Sequence, residues 1–175
     1  SPLEPRALKW PNADAPAKQW LANDAHRALL AETARPEEID PEEFDVIYFT
    51  GGHGVMFDFP DSEGLQRLTR HIFERGGIVS SVCHGYCGLL NTTLSNGELL
   101  VAGRCLTGYS WMEEVLAGVA KAVPYNSEQQ MKQRGALYEK SAIPFASKVV
   151  VDGRLVTGQN PGSAKATAEK VATLL

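Results

Sequence analysis

The chain has 175 residues and a mass of 19.0 kDa, a length typical of one domain that buries its core without disulfide or metal support. Its 43% hydrophobic and 22% charged residues exclude a disordered tail, a collagen-like fibre and a coiled coil. A formal net charge of −4 provides no basic surface for nucleic acid, and no apolar stretch approaches the length of a membrane span. We therefore expect a single domain over residues 1–175 that binds neither nucleic acid nor membrane.

The first segment of the chain, residues 1–16, is rich in proline, which predicts an extended loop. Apolar spacing predicts a helix over 17–34. Residues 44–50 form a short apolar run without alternation, which is typical of a strand buried on both faces of a parallel sheet. A helix over 61–75, closed by glycines, and a second buried strand over 78–82 follow.

The second half continues the alternation of strands and helices. The Asp152-Gly153 dipeptide between two short apolar runs predicts a hairpin. The predicted elements are a helix over 85–94, a strand pair or one broken strand over 99–101 and 105–109, helices over 110–117 and 127–134, strands over 148–151 and 155–157, and a helix over 163–175. This order indicates an α/β fold with a mainly parallel sheet, in which ligands bind beyond the carboxyl ends of the strands.

The cysteines form a sparse, odd-numbered set: Cys83, Cys87 and Cys105. Such a set argues against a disulfide framework and indicates a reducing compartment, so we expect a cytoplasmic protein. Cys87 and Cys105 are expected to be structural. Cys83 is the candidate for a reactive thiol.

Cys83 directly follows a predicted buried strand and precedes a predicted helix, an arrangement that exposes a nucleophile at the top of a sheet. Helix amides at this position favour the nucleophilic thiolate. Gly85 is expected to leave space for a substrate. His84 is a candidate general acid or base. The alternatives are a buried inert cysteine and a histidine that only packs at the helix start.

The segment Thr50–Gly54 (TGGHG) ends the preceding strand. The N–H groups of Gly52 and His84 would together bind a developing oxyanion, although an ordinary glycine turn is the alternative. The segment lacks the lysine of a phosphate-binding loop, which argues against a nucleotide site. No histidine has metal-ligand spacing to another histidine or to a cysteine, so no metal is expected.

Glu114 follows the third predicted strand and is a candidate for the carboxylate that orients His84, with Glu113 as the less favoured choice. The alternative is that both residues only complement the dipole of a helix N-terminus. Spacing alone does not separate these roles.

Five segments together resemble one known superfamily. They are GGHGVMFDFPDS (51–62), GGIVSSVCHG (76–85), LTGYSWMEE (106–114), MKQRGALYEK (131–140) and VVVDGRLVTGQNPGSA (149–164). They are similar to the PfpI/Parkinson-disease-protein superfamily of class I glutamine amidotransferase-like folds, in its glyoxalase III and heat-shock chaperone branch. The resemblance implies a flavodoxin-like sandwich, a homodimer and no cofactor.

The resemblance also implies roles for individual residues. Cys83 matches the nucleophile, His84 its partner, Glu114 the triad acid and Gly52 the oxyanion glycine. We expect His53, Gly85 and Tyr86 to contribute to substrate binding. Tyr86 replaces a residue that is commonly small or proline in the family, which is expected to narrow the pocket.

The start of the chain differs from the pattern of the family. Family members open with a strand, a helix and a second strand, and the loop after the first strand supplies a glutamate that hydrogen-bonds the thiol. Ser1-Pro2 matches the Ser-Pro that follows the second strand. We therefore expect an N-terminally incomplete domain.

The predicted activity is conversion of methylglyoxal, a 2-oxoaldehyde, to D-lactate without glutathione, through a hemithioacetal of Cys83. One alternative is a stress-response chaperone, deglycase or redox sensor. Another is a cysteine hydrolase of the same superfamily, such as an isonitrile hydratase, an amidase or a peptidase.

Overall fold

A computed structural model of the protein describes residues 15–175. The chain divides into two compact units, with the boundary after Ile39. Most of the loop predicted over 1–16 lies outside the described residues, and its last two residues begin a helix. No helix among residues 15–175 combines the length and the apolar character that a membrane span requires.

The first unit contains the helices α1 (Ala15–Leu21) and α2 (Asp24–Ala31) and a 3-10 turn at Pro36–Glu38. The sequence predicted one helix here, but the helix breaks at Asn23. The Asn23 side chain accepts hydrogen bonds from the backbone N–H groups of the next turn and so caps the start of α2.

The second unit, Asp40–Leu175, carries the sheet and the candidate site. Its strands are β1 (Val46–Phe49), β2 (Ile78–Val82), β3 (Cys105–Leu106), β4 (Leu137–Tyr138), β5 (Val149–Asp152) and β6 (Leu155–Gly158). Its α-helices are α3 (Val55–Asp58), α4 (Glu63–Glu74), α5 (Trp111–Leu116), α6 (Ser127–Gln133) and α7 (Ala164–Ala172). Short 3-10 segments lie at Pro41–Glu43, Cys83–Leu89 and Pro161–Ser163.

The main sheet has the strand order β1-β2-β6-β5. β1, β2 and β6 are parallel, with Val46 opposite Ile78 and Val79 opposite Leu155, and β5 joins β6 as the predicted antiparallel hairpin. All five residues of β2 are buried. The mainly parallel α/β class predicted from the sequence is confirmed.

The two faces of the sheet are covered by different helices. Val79 and Leu155 point into a core that includes side chains of α4, whereas Ile78 and Val156 pack with Val171 of α7. Alternation along the strands produces this division, because neighbouring side chains point to opposite faces. The result is a three-layer sandwich in which β2 is central.

The middle of the chain differs from the prediction. β3 is only two residues long and pairs in parallel with β4, which the sequence did not reveal. Leu99 forms an isolated antiparallel bridge with Thr93, and residues 100–101 form a turn. The segment after β2 is a 3-10 helix rather than the predicted α-helix. A strand of two residues, such as β4, is too short to show the alternation of apolar and polar residues that identifies a strand in a sequence.

Candidate active site

Cys83 occupies the tight turn where β2 ends and the 3-10 helix begins. Its φ of 57° lies in the left-handed region that non-glycine residues rarely adopt. Strain of this kind costs on the order of 1–3 kcal/mol and is found at nucleophile elbows. The turn holds the thiol at the carboxyl end of the parallel strands.

Two glycines let the segment that follows β1 approach this turn closely. A Cβ atom on Gly51 would lie 2.7 Å from the Cβ of Cys83, and one on Gly85 would lie 2.2 Å from the carbonyl oxygen of Phe49. The space beside Gly85 is therefore filled by the backbone of β1, which corrects the expectation that it admits substrate. Gly85 permits close packing at the elbow.

Tyr86 also differs from its expected position. Its side chain is fully buried, and its hydroxyl donates to the carbonyl oxygen of Tyr109 and lies 2.7 Å from Oγ of Ser127. A Cβ atom on Gly108 would lie 2.4 Å from the Tyr86 ring. Tyr86 therefore packs beneath the segment that carries Tyr109 and does not narrow an open pocket.

Cys83, His84 and Glu114 form a continuous chain of polar contacts. The Cys83 Sγ lies 3.3 Å from Nδ1 of His84, and Nε2 of His84 lies 2.5 Å from Oε1 of Glu114. Because a carboxylate only accepts hydrogen bonds, Nε2 of His84 carries the ring proton, which leaves Nδ1 free to accept the thiol proton. Consecutive side chains usually diverge, and the left-handed conformation of Cys83 brings these two together.

Burial raises the pKa of the Cys83 thiol to about 12. The N–H groups of His84 and Gly52 hydrogen-bond the sulfur and oppose this rise, whereas the charges of Glu114 and Glu113 add to it. The thiol is therefore protonated at neutral pH. This corrects the expectation of a thiolate, because the loss of water around the sulfur outweighs the two amides.

His84 is about 1% exposed, and burial lowers its pKa below the usual value, opposed by the hydrogen bond and the charge of Glu114. A neutral imidazole with a free Nδ1 is the form that a general base requires. The arrangement can therefore move the Cys83 proton onto His84 while the sulfur attacks an electrophile.

His53 lies beside this chain rather than at the two amides. Its Nε2 is 3.2 Å from Oε2 of Glu114, and its ring centroid is 4.2 Å from that of His84. Glu114 thus accepts from both histidines. The spacing of 61 residues between His53 and Glu114 gives no local signal, so sequence reasoning missed this contact.

Tyr109 is a further site residue that the sequence did not single out. Its ring lies 4.6 Å from the His84 ring, its backbone N–H donates to the carbonyl oxygen of Cys83, and it is 7% exposed. It packs with Cys83 and Val82 in a small apolar cluster. This cover contributes to the desolvation of the thiol.

Glu113 points away from the triad, which separates it from Glu114. Its Oε2 accepts from the backbone and hydroxyl of Ser110, and its Oε1 accepts from the backbone of Phe145 and the amide of Asn160. Burial alone would raise the Glu113 pKa, but the hydrogen bonds from Ser110 and Asn160 outweigh it and lower the pKa. Glu113 is therefore a structural carboxylate.

A metal ion could be held, among the described residues, by one group of side chains: His53, His84 and Glu114, whose ligand atoms lie within 4.8 Å of one another. Sequence spacing did not indicate this group. The same atoms are already joined by hydrogen bonds, so a metal ion would compete with the contact between His84 and Glu114.

Comparison with known proteins connects this site to a family. Glyoxalase 3 of Candida albicans is 34% identical over 154 residues, which cover 85% of this chain and 65% of that protein. The glutathione-independent glyoxalase HSP31 of Saccharomyces cerevisiae is 34% identical over 146 residues, covering 79% and 61%. This chain thus spans about three fifths of the length of these curated relatives.

The fold is also shared with a solved structure. The crystal structure of glyoxalase III from Candida albicans matches with a TM-score of 0.90 and 30% identity, over 97% of this chain and 74% of that one. The sequence model that defines the DJ-1/PfpI family matches residues 24–174, which include every residue of the site described above. The chain belongs to the DJ-1/PfpI family.

Proposed function

We propose that the protein converts methylglyoxal to D-lactate without glutathione or another cofactor. The observation that carries this proposal is the chain from the Cys83 thiol through His84 to Glu114, with two backbone N–H groups directed at the sulfur. The names of its relatives support the same reaction, since one is named glyoxalase 3 and another glutathione-independent glyoxalase HSP31.

The first step is addition of the thiol to the aldehyde carbon. Cys83 loses its proton to Nδ1 of His84 as the carbon–sulfur bond forms, and Glu114 stabilises the resulting imidazolium. The aldehyde oxygen becomes an oxyanion. The N–H groups of Gly52 and His84 stabilise that charge, and the proton on Nδ1 of His84 then passes to the oxygen to give a hemithioacetal.

The second step moves hydrogen within the substrate. A base, for which His84 is the candidate among the described residues, removes the proton from the former aldehyde carbon to give an enediol. The ketone oxygen takes up a proton as the enediol forms and becomes the hydroxyl group of the neighbouring carbon. That carbon then takes up a proton, and the hydroxyl group on the former aldehyde carbon loses one, which gives a thioester on Cys83. The aldehyde carbon is oxidised and the ketone carbon is reduced, so the substrate needs no external redox partner.

Hydrolysis of the thioester completes the cycle. Water adds to the carbonyl carbon and gives a proton to His84, the carbon–sulfur bond breaks, and His84 passes that proton to the leaving sulfur. The products are lactate and one proton from a neutral aldehyde and one water molecule.

The proposal is tested by measuring D-lactate formed from methylglyoxal without glutathione, with EDTA present. We expect Cys83→Ser to abolish formation and Glu114→Gln to reduce it by roughly 10²–10⁴-fold, the range for loss of general base function. Equal rates for wild type and Cys83→Ser would contradict the proposed function.

The alternatives make different predictions in the same experiment. A cysteine hydrolase would leave methylglyoxal unchanged yet cleave an amide, ester or isonitrile substrate in a manner that requires Cys83. A chaperone would suppress aggregation equally with Cys83→Ser. A peroxide sensor is disfavoured, because Cys83 is 8% exposed and its pKa is raised to about 12, whereas such sensors use accessible thiolates. The homodimer and the cytoplasmic location stay predictions.

A further inference from the structure

A turn beside the candidate site holds a phenylalanine in an unfavourable backbone conformation. Of the non-glycine residues between 15 and 175, Cys83 and Phe145 are the two with a positive φ, and that of Phe145 is 63°. The N–H of Ala146 donates to the carbonyl oxygen of Ile143 and closes the turn, with Pro144 and Phe145 between them. Proline at the second position and a positive φ at the third are features of a type II turn, which favours glycine or asparagine at the third position.

Core packing does not account for this phenylalanine. Phe145 is 48% exposed and belongs to no apolar core cluster of the described residues. Its ring centroid lies 6.4 Å from that of Tyr109. Tyr109 in turn packs on Cys83, and its ring lies 4.6 Å from the ring of His84. An unfavourable backbone conformation that the core does not require, next to the residue that covers the thiol, points to a role in the site.

Glu113 and Asn160 fix this turn relative to the triad. The N–H of Phe145 donates to Oε1 of Glu113 at 2.9 Å, and the side-chain amide of Asn160 donates to the carbonyl oxygen of Ala146 at 2.8 Å. Glu113 is buried in the first turn of α5, next to Glu114 of the triad. The Phe145 ring thus has a defined position beside the site although it is half-exposed.

We propose that Phe145 is a specificity-determining residue, which selects among 2-oxoaldehydes by contact with the substituent on the ketone carbon. This inference rests on the proposed function. The hemithioacetal oxygen faces the N–H groups of Gly52 and His84, and the carbon-bound hydrogen faces the His84 base. The remaining bond of that carbon leads to the ketone carbon and its substituent. Because Tyr109 packs on Cys83, the substituent meets Tyr109 first and, when it is longer, Phe145.

The test compares methylglyoxal with phenylglyoxal, in which a phenyl ring replaces the methyl group and extends to Phe145. Both aldehydes are supplied together to wild type and to Phe145→Gly, without glutathione and with EDTA, and chromatography measures lactate and mandelate. The product ratio in this competition reports the ratio of the two kcat/KM values, which does not depend on the fraction of enzyme that is folded. We expect the mandelate-to-lactate ratio to fall by about three- to tenfold in Phe145→Gly, the range for one aromatic contact.

The variants separate the ring from the turn. Glycine adopts a positive φ more readily than phenylalanine, so Phe145→Gly keeps the turn while removing the ring. Phe145→Asn, which also tolerates this φ, is a second variant without the ring and should show the same fall. Phe145→Tyr retains the ring and should keep the wild-type ratio.

The matched control is Phe44→Ala. Phe44 is 44% exposed and precedes β1, at the end of the strand away from Cys83. This variant removes a phenylalanine of similar exposure and should keep the wild-type ratio. Product formed in the presence of Cys83→Ser is subtracted as background for both aldehydes.

The outcomes separate this inference from the proposed function. Wild type that forms neither lactate nor mandelate overturns both. An active wild type whose product ratio is unchanged in Phe145→Gly and Phe145→Asn overturns the role of Phe145 alone. A ratio that falls equally in Phe145→Tyr does so too, because that variant retains the aromatic contact. A fall confined to the two variants without the ring supports contact between Phe145 and the substituent.

Discussion

At the scale of single residues, Cys83 is under two opposing influences. The elbow and its two amides favour the thiolate, as the sequence indicated, but burial under Tyr109 removes the water that would stabilise it. The balance gives a neutral thiol with a pKa of about 12. Catalysis through this cysteine therefore depends on proton transfer to His84 during attack.

This balance predicts slow modification of Cys83 by iodoacetamide at neutral pH. Because the raised pKa keeps the thiolate fraction small, the rate should rise about tenfold per pH unit between pH 7 and 9 without a plateau. The same peptide in urea should level off near pH 8.5, the usual thiol pKa. Peptide mass spectrometry measures both rates. A plateau below pH 8 in the folded protein would contradict the raised pKa.

The position of the nucleophile was predictable from sequence, whereas its electrostatics were not. A buried apolar run followed by Cys83, His84 and Gly85 indicates an elbow from local order alone. The thiol pKa depends on side chains that arrive from elsewhere, such as Tyr109 and Glu114. The contact of His53 with Glu114 likewise depends on how distant segments meet at the sheet edge.

At the scale of elements, α5 positions the triad acid through the residue beside it. Ser110 and Glu113 form a capping box at the start of α5, and Glu113 also holds the backbone of Phe145 and the side chain of Asn160. These contacts fix the first turn of α5, so that Glu114 faces His84. Glu113 thus has a structural role, whereas the adjacent Glu114 is the candidate triad acid.

Glu113→Gln should therefore mainly lower the free energy of unfolding, because Glu113 is not part of the triad. An amide at this position replaces one accepting oxygen with a donor, which leaves buried donors without acceptors at a cost of about 1–3 kcal/mol. Urea unfolding measures the change. Glu169→Gln, which alters an exposed carboxylate on α7, is the control and should change stability by less than about 0.5 kcal/mol. A Glu113→Gln variant as stable as wild type would contradict this role.

The longer elements were predictable because each has a repeated pattern, and the shorter ones were not. β2 and α4 combine apolar periodicity with clear end signals, and the structure has both near their predicted bounds. β3 and β4 exist because Cys105 and Leu106 meet Leu137 and Tyr138 in the folded unit. Two residues carry no period, so tertiary contacts alone define that pair.

At the scale of the whole molecule, the polar and ionisable groups buried in the core make stability depend on pH. Burial raises the pKa of Cys83 and of Cys87 to about 12, and it raises the pKa of Tyr86 well above its usual value. An unfolded chain loses thiol protons near pH 8.5 and phenol protons near pH 10. The folded protein retains these protons, so the unfolded state binds fewer of them at alkaline pH.

The stability of the protein should therefore decline on the alkaline side. A group whose folded pKa is raised contributes stability that is complete below its unfolded pKa and is lost as pH rises toward its folded pKa. For the thiols this window runs from about pH 8.5 to about 12. Between pH 9 and 10 each thiol should remove about 1.4 kcal/mol per pH unit from the free energy of unfolding.

Cys87→Ala isolates one contribution to this slope. The variant should be less stable at every pH because it leaves a cavity in the core. Above pH 9, however, the decrease in its free energy of unfolding per pH unit should be smaller than that of wild type by about 1.4 kcal/mol. The slope is independent of the cavity, since the cavity cost does not titrate. Urea unfolding at several pH values between 7 and 10.5 measures it. Parallel alkaline slopes for wild type and Cys87→Ala would show that the buried Cys87 thiol is not the group that the fold keeps protonated.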